Sequence, residues 1–134
     1  MANVAVVQAF ITALSSGDAE MALGQLHDDV QVSEPASLPI GGEYAGKAAF
    51  VGFLGKVSDT YDVKIHRAKV IDAGDVAVAH LDLTWTAHST GASLDTQFCE
   101  LYTVDADKIT SINVFPKDTK ALYDLTDAGM APLP

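Results

Sequence analysis

One cysteine, Cys99, is all the chain contains, so the sequence offers no disulfide framework and no thiolate metal cluster. In its apolar surroundings the thiol reads as a small hydrophobe. Positive charge is also scarce. Lys and Arg number 8 against 18 Asp and Glu, a formal net charge of −10. Binding DNA or RNA requires Lys and Arg to neutralise phosphates, and an anionic membrane surface makes the same demand. Neither nucleic acid nor membrane is therefore expected as a partner. No apolar run approaches the roughly 20 residues of a membrane-spanning helix. The apolar stretch over residues 2–14 has no Lys or Arg before it, so it lacks the basic start of a signal peptide. The expected location is cytoplasmic.

Several chemistries lack their residues as well. His27, His66, His80 and His88 are scattered, with no i, i+4 helical pair and no Cys-His motif, so no metal site is expected. Gly41-Gly42 is not followed by the Lys-Ser/Thr that a phosphate loop needs. No strand-elbow-helix motif presents a serine nucleophile. No cofactor is expected.

What remains is a chain of 134 residues, 49% aliphatic and aromatic and 19% charged, the composition of one globular domain. That domain is expected over residues 1–129, with residues 130–134 as a frayed tail. Val4, Val7, Phe10, Ile11 and Leu14 recur at helical spacing. Gly17 ends this helix, and Asp18 caps a second one that stops near residues 27–29. A short strand over residues 30–34 gives Val30, Val32 and Glu34 one face. A third helix carries Phe50, Phe53, Leu54 and Val57. The period then changes to two, predicting an antiparallel meander of strands near residues 61–72, 76–88, 94–104 and 108–115. A closing helix is expected over residues 118–125. Helices first and strands afterwards is the α+β pattern.

This order, with its motifs, resembles the SnoaL-like and ketosteroid-isomerase-like branch of the nuclear transport factor 2-like superfamily. The similar segments are Ala5-Val6-Val7-Gln8-Ala9-Phe10 with Ala13-Leu14 and Gly17-Asp18, then Asp28-Asp29-Val30, then Leu38-Pro39-Ile40-Gly41-Gly42-Glu43-Tyr44-Ala45-Gly46, and Asp107-Lys108-Ile109-Thr110. The resemblance covers nearly the whole chain. It implies a cystatin-like cone, a curved antiparallel sheet wrapped around three to four helices and enclosing an apolar pocket. It also implies a homodimer paired through the outer sheet face. The fold hosts enzymes, binding modules and adaptors alike, so activity has to come from particular residues.

Glu34-Pro35 falls where ketosteroid isomerase has Asp-Pro, the acid that shuttles its proton. Parity with Val30 and Val32 aims Glu34 inward, Pro35 holds it in extended geometry, and desolvation raises its basicity. The isomerase's oxyanion-binding tyrosine is replaced by Phe10. Its protonated acid corresponds to a position near Cys99, with Glu100 one residue off and so assigned to the opposite face. Steroid isomerisation itself is not expected. His80-Leu81-Asp82 is the second candidate, similar to an Arg-x-Asp of limonene-epoxide hydrolase, whose further acid corresponds roughly to Val114. Two orientations stay open. Alternation makes Ala77, Ala79, Leu81, Leu83 and Trp85 the core face, whereas matching to ketosteroid isomerase puts His80, Asp82 and Thr84 in the pocket.

The candidate catalytic residues are thus Glu34, His80 and Asp82, and the candidate ligand contacts are Phe10, Leu14, Phe53, Trp85, Cys99 and Asn113. Trp85, Phe98, Tyr102, Phe53 and Phe115 otherwise read as core. The expected function is binding of a small apolar or carbonyl-bearing metabolite, with cofactor-free acid–base chemistry of isomerase, cyclase or hydrolase type. The alternative is a non-catalytic ligand-binding or dimerisation module.

Overall fold

The side-chain oxygen of Asn3 accepts a hydrogen bond from the Val6 N–H and starts α1 (Val4–Ser15), which buries Val7, Phe10, Ile11 and Ala13. The computed structural model describes residues 3–127; the tail expected over residues 130–134 lies outside the described residues. Asp18 caps α2 (Ala19–Gly24) by accepting from the Met21 N–H. This helix ends earlier than its pattern suggests. Residues 27–29 already belong to β1 (Leu26–Glu34), because Leu26 is buried beside Ile109 on the sheet. Sheet pairing there outweighs local helix preference.

β2 (Gly42–Ala45) is a four-residue strand in a segment where the sequence pattern predicted neither helix nor strand. Gly46 follows with φ +89, a conformation open to glycine, and turns the chain into α3 (Lys47–Thr60), which buries Phe50 and Phe53. Then come β3 (Tyr61–Asp72), β4 (Ala77–Ala87), β5 (Ser93–Asp105), β6 (Lys108–Pro116) and α4 (Thr119–Asp127). The β5–β6 hairpin turns through Ala106 and Asp107, both at positive φ, which matches the twist of its strands.

The six strands form one curved sheet in the order β2-β1-β6-β5-β4-β3. All neighbours are antiparallel except β1 and β6, which run parallel. A parallel pair cannot be closed by a tight turn, and here the chain between the two strands supplies α3 and the whole meander. Register shifts between Ile65 and Arg67 and between Thr103 and Val104 add local twist to the meander. α1 and α3 lie against the concave side, touching β1, β3, β4 and β6. The architecture is the α+β class that the sequence pattern implied and the curved cone that the resemblance implied, with one parallel pairing that neither gave.

Candidate functional site

Between the concave sheet face and helices α1 and α3 is a cavity of about 390 Å³. Its walls follow from strand parity. On β4 every second residue, Leu81, Leu83 and Trp85 among them, is buried and the intervening ones are not. Ile112 and Val114 of β6, Val32 of β1 and Phe98 of β5 continue the lining, and Phe10, Leu14, Phe50, Phe53, Leu54 and Val57 close it from the helices. The rings are in mutual contact. Phe10 meets Phe50 at 6.0 Å and Tyr102 edge-on at 5.9 Å, while Trp85 stacks on Phe98 at 5.5 Å. The Trp85 indole N–H is buried and has no hydrogen-bond partner among the described residues.

Three polar side chains interrupt this apolar wall. Glu34 is the last residue of β1 and keeps the inward parity of Val30 and Val32. Burial, and secondarily the charge of Glu100, pushes its pKa up to about 8. Glu100 on β5 also lines the cavity, and burial raises its pKa while the hydrogen bond from Tyr102 acts against the rise. Tyr102, two residues further along β5, donates its hydroxyl proton to Glu100 Oε1 at 2.6 Å. Burial, then the charge of Glu100 and the bond to it, lift the Tyr102 hydroxyl well above its ordinary pKa.

The register relates the two acids. Ser33 pairs with Asn113, so the next step along both strands sets Glu34 beside Val114, whose other neighbour is Glu100. The acids therefore flank one valine, roughly 10 Å apart along the backbone row. The lining holds a single cation, Lys64, which is exposed at the rim with Ser15. A buried carboxyl without a cation nearby is held largely in its neutral form. Chemically, the arrangement offers a base of raised strength next to a carboxyl–phenol pair that can donate protons.

The structure separates the sequence-derived candidates. Glu34, Phe10, Leu14, Phe53 and Trp85 all line the cavity. His80 and Asp82 do not: they sit on the opposite face of β4, where Asp82 accepts from Gln97 Nε2 at 2.9 Å. Matching to ketosteroid isomerase is therefore off by one residue on this strand, and the apolar alternation identifies the inner face. The same slip applies on β5 but not on β6, where the position matched to the hydrolase's further acid, Val114, faces the cavity. Cys99 and Asn113 are exposed on the outer face, whereas Glu100, Ile112 and Val114 face the cavity. Phe115 is half exposed on that outer face rather than part of the core.

Glu100 and Tyr102 are the site residues that sequence reasoning missed. Their signal was present: Phe98, Glu100 and Tyr102 share one strand parity, and two of the three are large aromatics. Among the described residues no group of three or more His, Cys, Asp and Glu side chains is placed to hold a metal ion. No helix among them is long and apolar enough to cross a membrane.

Residues 7–112 match the pattern that defines the SnoaL-like domain. No curated protein sequence matches this chain. Among solved structures, one similar fold is a nuclear transport factor 2-like protein from Burkholderia xenovorans, 26% identical, with a TM-score of 0.82 over 92% of this chain and 94% of that one. A proposed polyketide cyclase from Pseudomonas putida is 18% identical, with a TM-score of 0.81 over 93% and 98% of the two chains. TerC, co-crystallised with polyporic acid, is 22% identical with the same TM-score, over 93% and 98%.

Proposed function

Because the chain belongs to the SnoaL-like domain family, we propose that its cavity binds a small, mainly apolar, carbonyl-bearing compound and performs cofactor-free acid–base chemistry on it. The observation that carries this reading is the pair of half-buried carboxyl groups of raised pKa, Glu34 and Glu100, on the wall of an otherwise apolar cavity. Withdrawing such groups from water without a cation disfavours their charged forms, and displaced titration behaviour of this kind concentrates at functional sites.

In this reading the ionised fraction of Glu34, which grows as pH rises toward 8, removes a proton from the carbon next to the substrate carbonyl. The C–H electron pair moves toward the carbonyl oxygen, and the proton stays on Glu34. Glu100 holds its own proton and donates a hydrogen bond to that oxygen, while Tyr102 fixes the Glu100 carboxyl by donating to its other side. Stabilising the developing oxyanion is commonly the largest contribution to catalysis of this type, and Phe10, which has no hydroxyl, cannot supply it from α1. Where the enolate is conjugated with a C=C, returning the Glu34 proton to the far carbon gives isomerisation; alternatively, attack of the enolate carbon on a second carbonyl closes a ring, and the alkoxide so formed takes the proton held by Glu34. The fold's likeness to a proposed polyketide cyclase supports the second outcome. The family also suggests a homodimer through the outer sheet face, which would cover Cys99 and Asn113; sedimentation tests it.

Proton exchange tests the chemistry without knowing the natural substrate. In D2O the protein is expected to accelerate loss of the α-proton NMR signals of an aryl ketone such as 2-tetralone. Glu34→Gln should lower that rate by about 10²-fold or more. No acceleration by the unaltered protein, or equal rates in both, contradicts the proposal.

A further inference from the structure

Glu34 is followed by a loop, residues 35–41, that folds back so that Gly42 pairs with Glu34 across the β1–β2 ladder. The loop is tightly built. The Leu38 N–H donates to the Pro35 carbonyl at 3.1 Å, and the Gly41 N–H to the Leu38 carbonyl at 2.8 Å. Leu38 and Ile40 are 5% and 2% exposed, so the loop plugs inward instead of standing in water. At Gly41 there is no room for a side chain: a Cβ there would lie 1.8 Å from the Pro35 carbonyl oxygen and 2.9 Å from that of Leu38.

Tyr44 ties this loop to the cavity wall. Its hydroxyl donates to the Ile40 carbonyl at 2.8 Å and reaches the Gly41 carbonyl at 3.4 Å. Its ring lies 4.8 Å from Phe53, a cavity-lining residue of α3, with the Lys56 ammonium 5.5 Å from the ring centroid. On the ladder Tyr44 stands opposite Val32, another lining residue. One side chain thus joins the loop, β1 and α3.

We propose that Tyr44 and Gly41 are positioning residues for Glu34: they clamp loop 35–41 against β1 and α3, fixing the direction of the carboxyl group and keeping water from its inner side. The inference rests on the proposed use of Glu34 as the base. Neither residue lines the cavity, so neither would touch substrate. The other titratable or charged groups around the cavity are Glu100 and Tyr102 from β5 and Lys64 from β3; α3, β4 and β6 contribute apolar side chains, and α1 adds Ser15. Tyr44→Phe leaves all of these in place, so any change it causes at Glu34 reports on the loop.

The test is a carbon-13 NMR titration of the glutamate carboxyl groups in the unaltered protein and in Tyr44→Phe, with amide exchange measured at Leu38 and Gly41. A clamp predicts that Tyr44→Phe remains folded while the Glu34 midpoint falls by about one unit or more toward the ordinary value. Exchange at the two loop amides should quicken about tenfold or more. Gly41→Ala should act in the same direction; if it does not fold, Tyr44→Phe carries the test alone. A Glu34 midpoint raised in the unaltered protein and unmoved in Tyr44→Phe overturns the clamp while leaving the proposed base intact. An ordinary midpoint in the unaltered protein overturns both.

Discussion

Tyr102 donates a 2.6 Å hydrogen bond to Glu100 Oε1 from two positions further along the same strand. Side chains two apart on a strand share a face, so one strand delivers both groups to the cavity and the bond fixes how the carboxyl is turned. With one carboxyl oxygen engaged by the phenol, the remaining proton of a neutral Glu100 is free for a ligand. Glu34 arrives from β1 on the other side of Val114. A base and a donor then face the same space from two strands, with no metal in the scheme.

Tyr102→Phe tests the donor half. Loss of the hydroxyl leaves a buried carboxyl oxygen unsatisfied, which costs about 1–3 kcal/mol of folding stability. Ketone exchange should fall by roughly 10²-fold if Glu100 is the oxyanion donor that Tyr102 orients. Urea unfolding and the exchange assay measure the two effects separately. An unchanged exchange rate would remove Tyr102 and Glu100 from the chemistry.

The raised Glu34 pKa makes folding stability depend on pH. Between its ordinary value of 4.5 and about 8, the folded protein keeps a proton on Glu34 that the unfolded chain has lost. The favourable contribution is complete below about pH 4.5 and disappears as pH rises through 8. Over that window it amounts to several kcal/mol, at most about 5. Glu100 acts in the same direction. Urea unfolding from pH 5 to 8 should show stability falling in the unaltered protein and a shallower fall in Glu34→Gln. Equal slopes in the two would contradict the raised pKa of Glu34.

His80 and Asp82 give the converse test. Both lie on the outer face of β4, so His80→Ala and Asp82→Ala should leave ketone exchange within about twofold of the unaltered rate. Stability should change little in the first, and by about 1 kcal/mol in the second through loss of the Gln97 hydrogen bond. A tenfold loss of exchange in either would return them to the site.

Phe10→Ala probes the cavity wall. Phe10 is 1% exposed and packs on Phe50 and Tyr102, so its removal should cost roughly 3–5 kcal/mol. Because Tyr102 loses its ring neighbour, donor geometry should also suffer. Thermal unfolding reads the first effect and ketone exchange the second.

Much of the fold was legible in periodicity. The stripe through Val7, Phe10 and Ile11, and the switch to alternation after Thr60, reflect burial on one helix face and one sheet face. The parallel β1–β6 pairing and the short β2 were not legible, because both depend on partners distant in sequence. The site was half legible. Glu34 shows itself through parity with Val30 and Val32, yet Glu100 was hidden by alignment to a relative that set β5 one residue out of step. Its own neighbours, Phe98 and Tyr102, give the correct face. Where strand alternation and a distant match disagree, burial decides, since a one-residue slip would turn a whole apolar face to water.

The proposed chemistry turns on Glu34 acting as a base of raised pKa on the wall of a mainly apolar cavity. The most direct measurement is its own titration, followed by carbon-13 NMR of the side-chain carboxyl and assigned by its disappearance in Glu34→Gln. A midpoint near 8 is the predicted result. A midpoint near the ordinary glutamate value of about 4.3 would contradict it and leave a ligand-binding or dimerisation module without acid–base chemistry.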